Sequence, residues 1–168
     1  SYPQCRCCSP SSRLQAGVDR MTTSRVPTIP QATDALVSLL AGHVWASDTP
    51  QVAYCWPQNP ENHLVLVGGG SGDEQWSAIG DLRRREDYRI DLAVLVAVPG
   101  DTALEAKQRA WSTWTDICIA LREHHQLARD TGAGILWAEI GDIAWTPTVE
   151  DEGYGHVITG AVRFAATT

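Results

Sequence analysis

The glycine run Gly68-Gly69-Gly70-Ser71-Gly72, entered from the β-prone Leu64-Val65-Leu66-Val67, is where residue types first suggest chemistry. Glycine amides that follow a strand can cradle a phosphate at a helix start. The flanking residues oppose it. No Lys-Ser or Lys-Thr follows, and Asp73-Glu74 would set two carboxylates where a phosphate should rest. The same run serves as a hairpin tip, or as an arm that orders against a neighbour. His124-His125 are adjacent, so on a helix they point about 100° apart and cannot hold one ion from the same face. Placed near a helix C-terminus, a protonated imidazole is instead favoured by the helix dipole. Cys5-x-Cys7-Cys8 has no second ligand pair at zinc spacing, and with Cys55 and Cys118 the total of five cysteines is odd. Unpaired thiols in a reducing compartment are the expectation. There is no Gly-x-Ser-x-Gly elbow and no two-carboxylate motif tied to a recognisable scaffold. No catalytic residue, metal or cofactor is therefore expected.

Two features point to contact between molecules instead. Arg83-Arg84-Arg85, at the mouth of a long β-prone run, is the one dense basic patch past the N-terminal segment. It reads either as a solvated strand end or as a partner for the acidic Glu150-Asp151-Glu152 of an adjacent subunit. Seven tryptophans stand against one phenylalanine. Tryptophan is favoured at interfaces because it supplies a large rigid area and a donor, and Trp76, beside the glycine run, is the leading interface candidate.

The elements that must position these residues follow from periodicity and punctuation. At 168 residues the chain predicts one domain, spanning residues 21–168. Residues 1–20 lack a hydrophobic period and predict a disordered or artefactual tail, with the natural product starting at Met21; they do not form a signal peptide. The longest apolar run, Leu92 to Val98, is too short to cross a bilayer. A net charge of −7 opposes stable wrapping around nucleic acid.

Gln31 to Trp45 carries a helical stripe of Ala32, Ala35, Leu36, Leu39, Leu40 and Val44. Gln51 to Trp56 alternates as a first strand, and Leu64 to Val67 as a second that opens into a mobile loop reaching about Asp81. From Arg85, the residues Tyr88, Ile90, Leu92, Val94, Val96 and Val98 line one face of a long strand. Its other face passes from Asp87, Arg89 and Asp91 to Ala93, Leu95 and Ala97, so its second half requires cover on both sides. Thr102-Ala103-Leu104-Glu105 matches a capping box at the start of a second helix. Ala110, Trp111, Trp114, Ile117, Cys118 and Leu121 form that helix's buried stripe, with Lys107, Arg109, Asp116, Arg122 and Glu123 on the surface. Ile135 to Val149 and Tyr154 to Ala166 predict a closing hairpin. The class is α+β: a mostly antiparallel sheet with an N-terminal helix and one long helix packed on it.

This order, with Arg85-Glu86-Asp87-Tyr88-Arg89-Ile90-Asp91 leading the long strand and an alanine-rich helix from Thr102, resembles the tail terminator (tail completion) proteins of long-tailed phages over about Pro27 to Ala166. The resemblance implies a structural virion protein without enzymatic activity. Such a protein forms a homo-oligomeric ring, commonly a hexamer, that caps the tail tube and joins it to the head-proximal neck. Its partners would be itself, the tail tube protein and a neck or head-completion protein; it would assemble in the host cytoplasm and contact no membrane. DNA would pass through the lumen without specific binding; the net charge of −7 suits such a channel, with the carboxylates of Asp73, Glu74 or Glu150 to Glu152 expected to line it. Another head–tail connector, a tail tube subunit, or a small-molecule enzyme are the alternatives.

Overall fold

The computed structural model describes residues 29–76, 84–99, 102–124, 135–150 and 153–167. Its elements run α1 (Ile29–Ala41), β1 (Gln51–Tyr54), β2 (His63–Trp76), β3 (Arg84–Pro99), α2 (Ala103–Glu123), β4 (Ile135–Glu150) and β5 (Gly153–Thr167). This is an α+β fold: one five-stranded sheet with an N-terminal helix and a longer helix packed on it. The strands lie in the order β1-β2-β3-β5-β4. β1 pairs with β2 in parallel and the remaining pairs are antiparallel. β3, α2 and β4 form a crossover in which β5 returns to fill the space between the two parallel strands.

The core lies between the helices and one sheet face. Tyr88, Ile90, Leu92, Val94, Val96 and Val98 of β3 are buried there, as their alternation predicts. Ile158, Val162 and Phe164 of β5 join them across matching register positions, and Tyr88 stacks on Phe164 with ring centroids 5.3 Å apart. From α2 come Ala106, Ala110, Trp114, Ile117, Ala120 and Leu121, and from α1 come Ala32, Leu36 and Leu40. Gly160 of β5 faces α2 and leaves room for the Trp114 indole, which occupies the place a β-carbon would take.

Several boundaries differ from the sequence expectation, each for a local reason. α1 starts two residues earlier than Gln31 and stops at Ala41 rather than Trp45. Gly42 ends it, donating its N–H to the Ser38 carbonyl at 3.1 Å, and Trp45 turns back into the core beside His43. β1 ends at Tyr54 because Cys55 takes a left-handed conformation (φ 67°) that turns the chain before Trp56. The capping box is half realised. Thr102 is the N-cap residue, with its carbonyl accepting from Glu105 N at 3.0 Å, but its hydroxyl makes no cap bond. The Glu105 carboxylate is held forward by Arg109, 3.0 Å away at the i+4 position.

The largest correction concerns the glycine run. Instead of opening a mobile loop after Val67, β2 continues through the glycines to Trp76, paired with β3 as far as Arg84; residues 77–81 of the expected loop lie outside the described residues. The register shifts between Val67 and Gly70, and Gly69 (φ 70°) supplies the left-handed residue of that bulge. β3 is strongly β-forming and templates a partner that would not be a strand by its own propensity.

Candidate functional site

Both helices cover the same face of the sheet, so the opposite face carries what the sequence offers for contact with other molecules. Along β3 that open face reads Asp87, Arg89, Asp91, Ala93, Leu95, Ala97, dividing it into a charged half and an apolar half.

The charged half is a network across three strands. Arg89 donates to Asp91 Oδ1 through Nε (3.1 Å) and Nη2 (2.8 Å), and this bond raises the Arg89 pKa above its already high ordinary value. Arg163, opposite Arg89 on β5, donates to Asp142 Oδ2 at 2.9 Å, and Arg89 Nη1 approaches the same oxygen at 3.9 Å. Asp142 reaches inward because it occupies the β4 bulge between Gly141 and Ala144 with φ 31°. Gly141 admits the network, since a β-carbon there would collide with the Arg163 guanidinium. All four side chains are about half exposed, so the network fixes geometry more than it adds stability.

In the apolar half, Ala93, Leu95 and Ala97 of β3 and Val157 of β5 are half-buried, alongside Leu64 and Leu66 of β2. The cover that the apolar run requires on its second side comes only in part from the chain. The segment following β1 folds back here, tied by Gln51, whose side chain accepts from Glu61 N (3.0 Å) and donates to the Asn59 carbonyl (3.3 Å). It buries Leu64 but leaves a groove of about 170 Å³ bounded by Trp56, Pro60, Leu95, Ala97, Thr148 and Val157. Trp56 is 62% exposed at its rim.

The edge of the sheet is less available for pairing than its length suggests. β4 has no strand on its outer side among the described residues. Its ladder is interrupted by the bulge and by Pro147, which has no N–H to offer a further strand. Pro147→Val is expected to make the purified protein more prone to aggregate, read as faster growth of light scattering at matched concentration. An unchanged rate would mean the edge is protected by other means.

The predicted contact residues fall at opposite ends of this sheet. Trp76 pairs with Arg84 at the end of β2, and Arg85 pairs with Gln75 and Thr167. Glu150 pairs with Gly153, itself opposite Pro99, at the far end of β3. The two ends are roughly 45 Å apart along β3, so Arg84 and Arg85 cannot meet Glu150 within one chain. Arg83, Asp151 and Glu152 lie outside the described residues. Asp73 and Glu74 stand opposite Asp87 and Glu86, a run of like-charged register partners. His124 is the C-cap residue of α2, as expected of a helix end, while His125 is outside the described residues.

Sequence reasoning missed other residues. Asp116, placed on the solvent face by the pattern, is buried and accepts from Ala46 N at 2.9 Å, tying α2 to the α1–β1 connection. Only the fold reveals that bond, because its partners are 70 residues apart. Trp145, Val149 and Tyr154 are exposed on the hairpin, with Trp145 edge-on to Trp111 of α2 at 5.8 Å. A second groove of about 370 Å³ separates α2 from β4, lined by Cys118, Leu121, Arg122, Ala138, Glu139 and Ile140. Burial raises the Cys118 thiol pKa, which disfavours the nucleophilic thiolate. Among the described residues no group of three or more His, Cys, Asp or Glu side chains could hold a metal, and no helix is long and apolar enough to cross a membrane.

No protein-family model matches the chain, and no curated protein matches its sequence at a significant level.

Proposed function

We propose that the chain is a structural virion subunit, a ring-forming tail terminator that caps the tail tube of a long-tailed phage and joins it to the head-proximal neck. The observation that carries this reading is the apolar half of the open sheet face, a groove rimmed by Trp56 and floored by Leu95, Ala97 and Val157. An apolar surface with a large exposed aromatic at its rim is what a subunit presents to a neighbour. Head-to-tail contacts that rotate by a fixed angle close into a ring. The blunted β4 edge favours joining through faces over indefinite extension of the sheet. Placement of the Arg84–Arg85 and Glu150 positions at opposite ends is compatible with their meeting between subunits. An acidic chain also suits a channel for DNA, since like charge avoids adhesion to phosphates; in this reading Asp73 and Glu74, or Glu150 to Glu152, face the lumen.

Within the same class, the chain would alternatively serve as another head–tail connector or a tail tube subunit. Electron microscopy with solution mass on the purified protein separates these. Single closed rings are the expected result for a terminator, and long tubes formed by the protein alone would identify a tube subunit. A monomer at every concentration would overturn the assembly reading and favour a small-molecule enzyme.

A further inference from the structure

Beneath the N-terminal half of α2, two histidines occupy one row of the sheet's core face. His63 of β2 and His156 of β5 both pair with Val96 of β3, and Pro147 of β4 continues the row. His63 Nε2 lies 2.7 Å from Thr113 Oγ1 on α2. The Thr113 hydroxyl donates to the Arg109 carbonyl at 3.0 Å, so it accepts from His63, which places the imidazole proton on Nε2. His63 Nδ1 is then an unprotonated nitrogen, buried without a hydrogen-bond partner among the described residues. His156 is almost fully buried, and its Nε2 likewise has no such partner. Neutral imidazoles tolerate these positions. At His63 a second proton would create a partly buried cation whose new Nδ1–H has no acceptor among the described residues, and at His156 it would place a cation in an almost fully buried ring.

We propose that His63 and His156 form an acid-sensitive latch, whose protonation releases the N-terminal half of α2 from the sheet. The charges around them are uneven. Asp48, in the α1–β1 connection, and Glu61, just before β2, favour a cation at His63, while Arg109 of α2 opposes it. Arg109 is itself held by Asp48 at 3.2 Å and Glu105 at 3.0 Å, which limits how much either Asp48 or Arg109 contributes. At His156 the facing charge is Lys107 of α2, which also opposes protonation, and no carboxylate compensates among the described residues. Val96 and Pro147 add no charge from β3 and β4. At both sites burial is the leading effect, and both pKa values fall below the ordinary 6.5. The sign follows from linkage. Above pH 6.5 both histidines are neutral folded or unfolded and contribute no pH dependence. As pH falls through 6.5, the unfolded or opened chain takes up protons first, and stability is lost until the folded-state values are reached.

The helix connects the open and closed states. Its second half is anchored by Trp114, Ile117 and Leu121, whereas the first half meets the sheet through the small residues Ala106 and Ala110, which bury less apolar area to resist an opening. This inference does not depend on the ring proposal.

The test is hydrogen exchange of the full chain at pH 7.5 and pH 5.5, corrected for intrinsic rates. Amides of residues 106–113 are expected to open several-fold more often at the lower pH, with the gain at pH 5.5 capped at about tenfold per histidine, while β3 amides change less. The H63Q/H156Q double variant should lose that difference. In parallel, the imidazole proton resonances of both histidines should begin to shift only below pH 6.5. That second measurement uses the unaltered protein, so it holds even if the double variant fails to fold. Ordinary histidine titration, or equal acceleration in the variant and the parent, would overturn the latch.

Discussion

Replacing Trp114 by alanine is expected to lower the unfolding free energy by about 3–5 kcal/mol, a large share of what a domain of this size possesses. The indole is 2% exposed, projects from the middle of α2 and fills the space above Gly160, so its removal leaves a cavity between rigid backbones. The urea midpoint should fall accordingly, and Trp114→Phe should cost much less. Phenylalanine retains most of the apolar volume, and the lost indole N–H has no acceptor among the described residues, so no partner is orphaned. Gly160→Ala supplies an internal check. Its methyl group would collide with the Trp114 ring in the parent but enter the vacated space in Trp114→Ala, so the two changes should be non-additive. Additive losses would mean that the indole does not rest on Gly160.

Trp56→Ser is expected to have the opposite profile, leaving the fold intact and weakening self-association. The side chain is 62% exposed and lies outside the core, so the unfolding free energy of the dissociated chain should change by no more than about 0.5 kcal/mol. An aromatic anchor at the rim of an interfacial groove is worth about 2–4 kcal/mol, roughly thirty- to a thousandfold in the association constant. Analytical ultracentrifugation over a concentration series would read this directly. Association unchanged by the substitution would remove the open sheet face as the contact between copies, even if rings form.

The elements were legible wherever one physical signal dominated. Alternation from Tyr88 to Val98 gave β3 its length and buried face, and the spacing of Ala110, Trp114, Ile117 and Leu121 gave α2 its contact stripe. Glycines were misleading when judged alone, because the pairing that stabilises residues 68–76 is supplied by β3 and no local pattern records it. The two-sided apolar run predicts a need for double cover, and the fold leaves that cover incomplete at the half-buried Ala93, Leu95 and Ala97. Trp56 was hidden because its alternation with Val52 and Tyr54 suggested a strand residue, whereas the left-handed Cys55 rotates it out of the sheet. Trp76 and the arginine cluster stand out in composition, which states that a residue is unusual but not what it faces. Asp116 and the row joining His63 to His156 depend on long-range register, the kind of information a single sequence holds least.

The placement of β5 between β3 and β4 shapes how the chain is made. The last of the five strands to be made is an interior strand of the sheet, so during synthesis β3 must wait beside an unfilled slot until Gly153–Thr167 has left the ribosome. Such non-local closure slows folding and leaves β3 and β4 unjoined in the interim. It also makes the two termini unequal. Premature termination before Gly153 would remove the strand that joins β3 to β4, whereas losing residues ahead of α1 would spare all five strands of the described sheet.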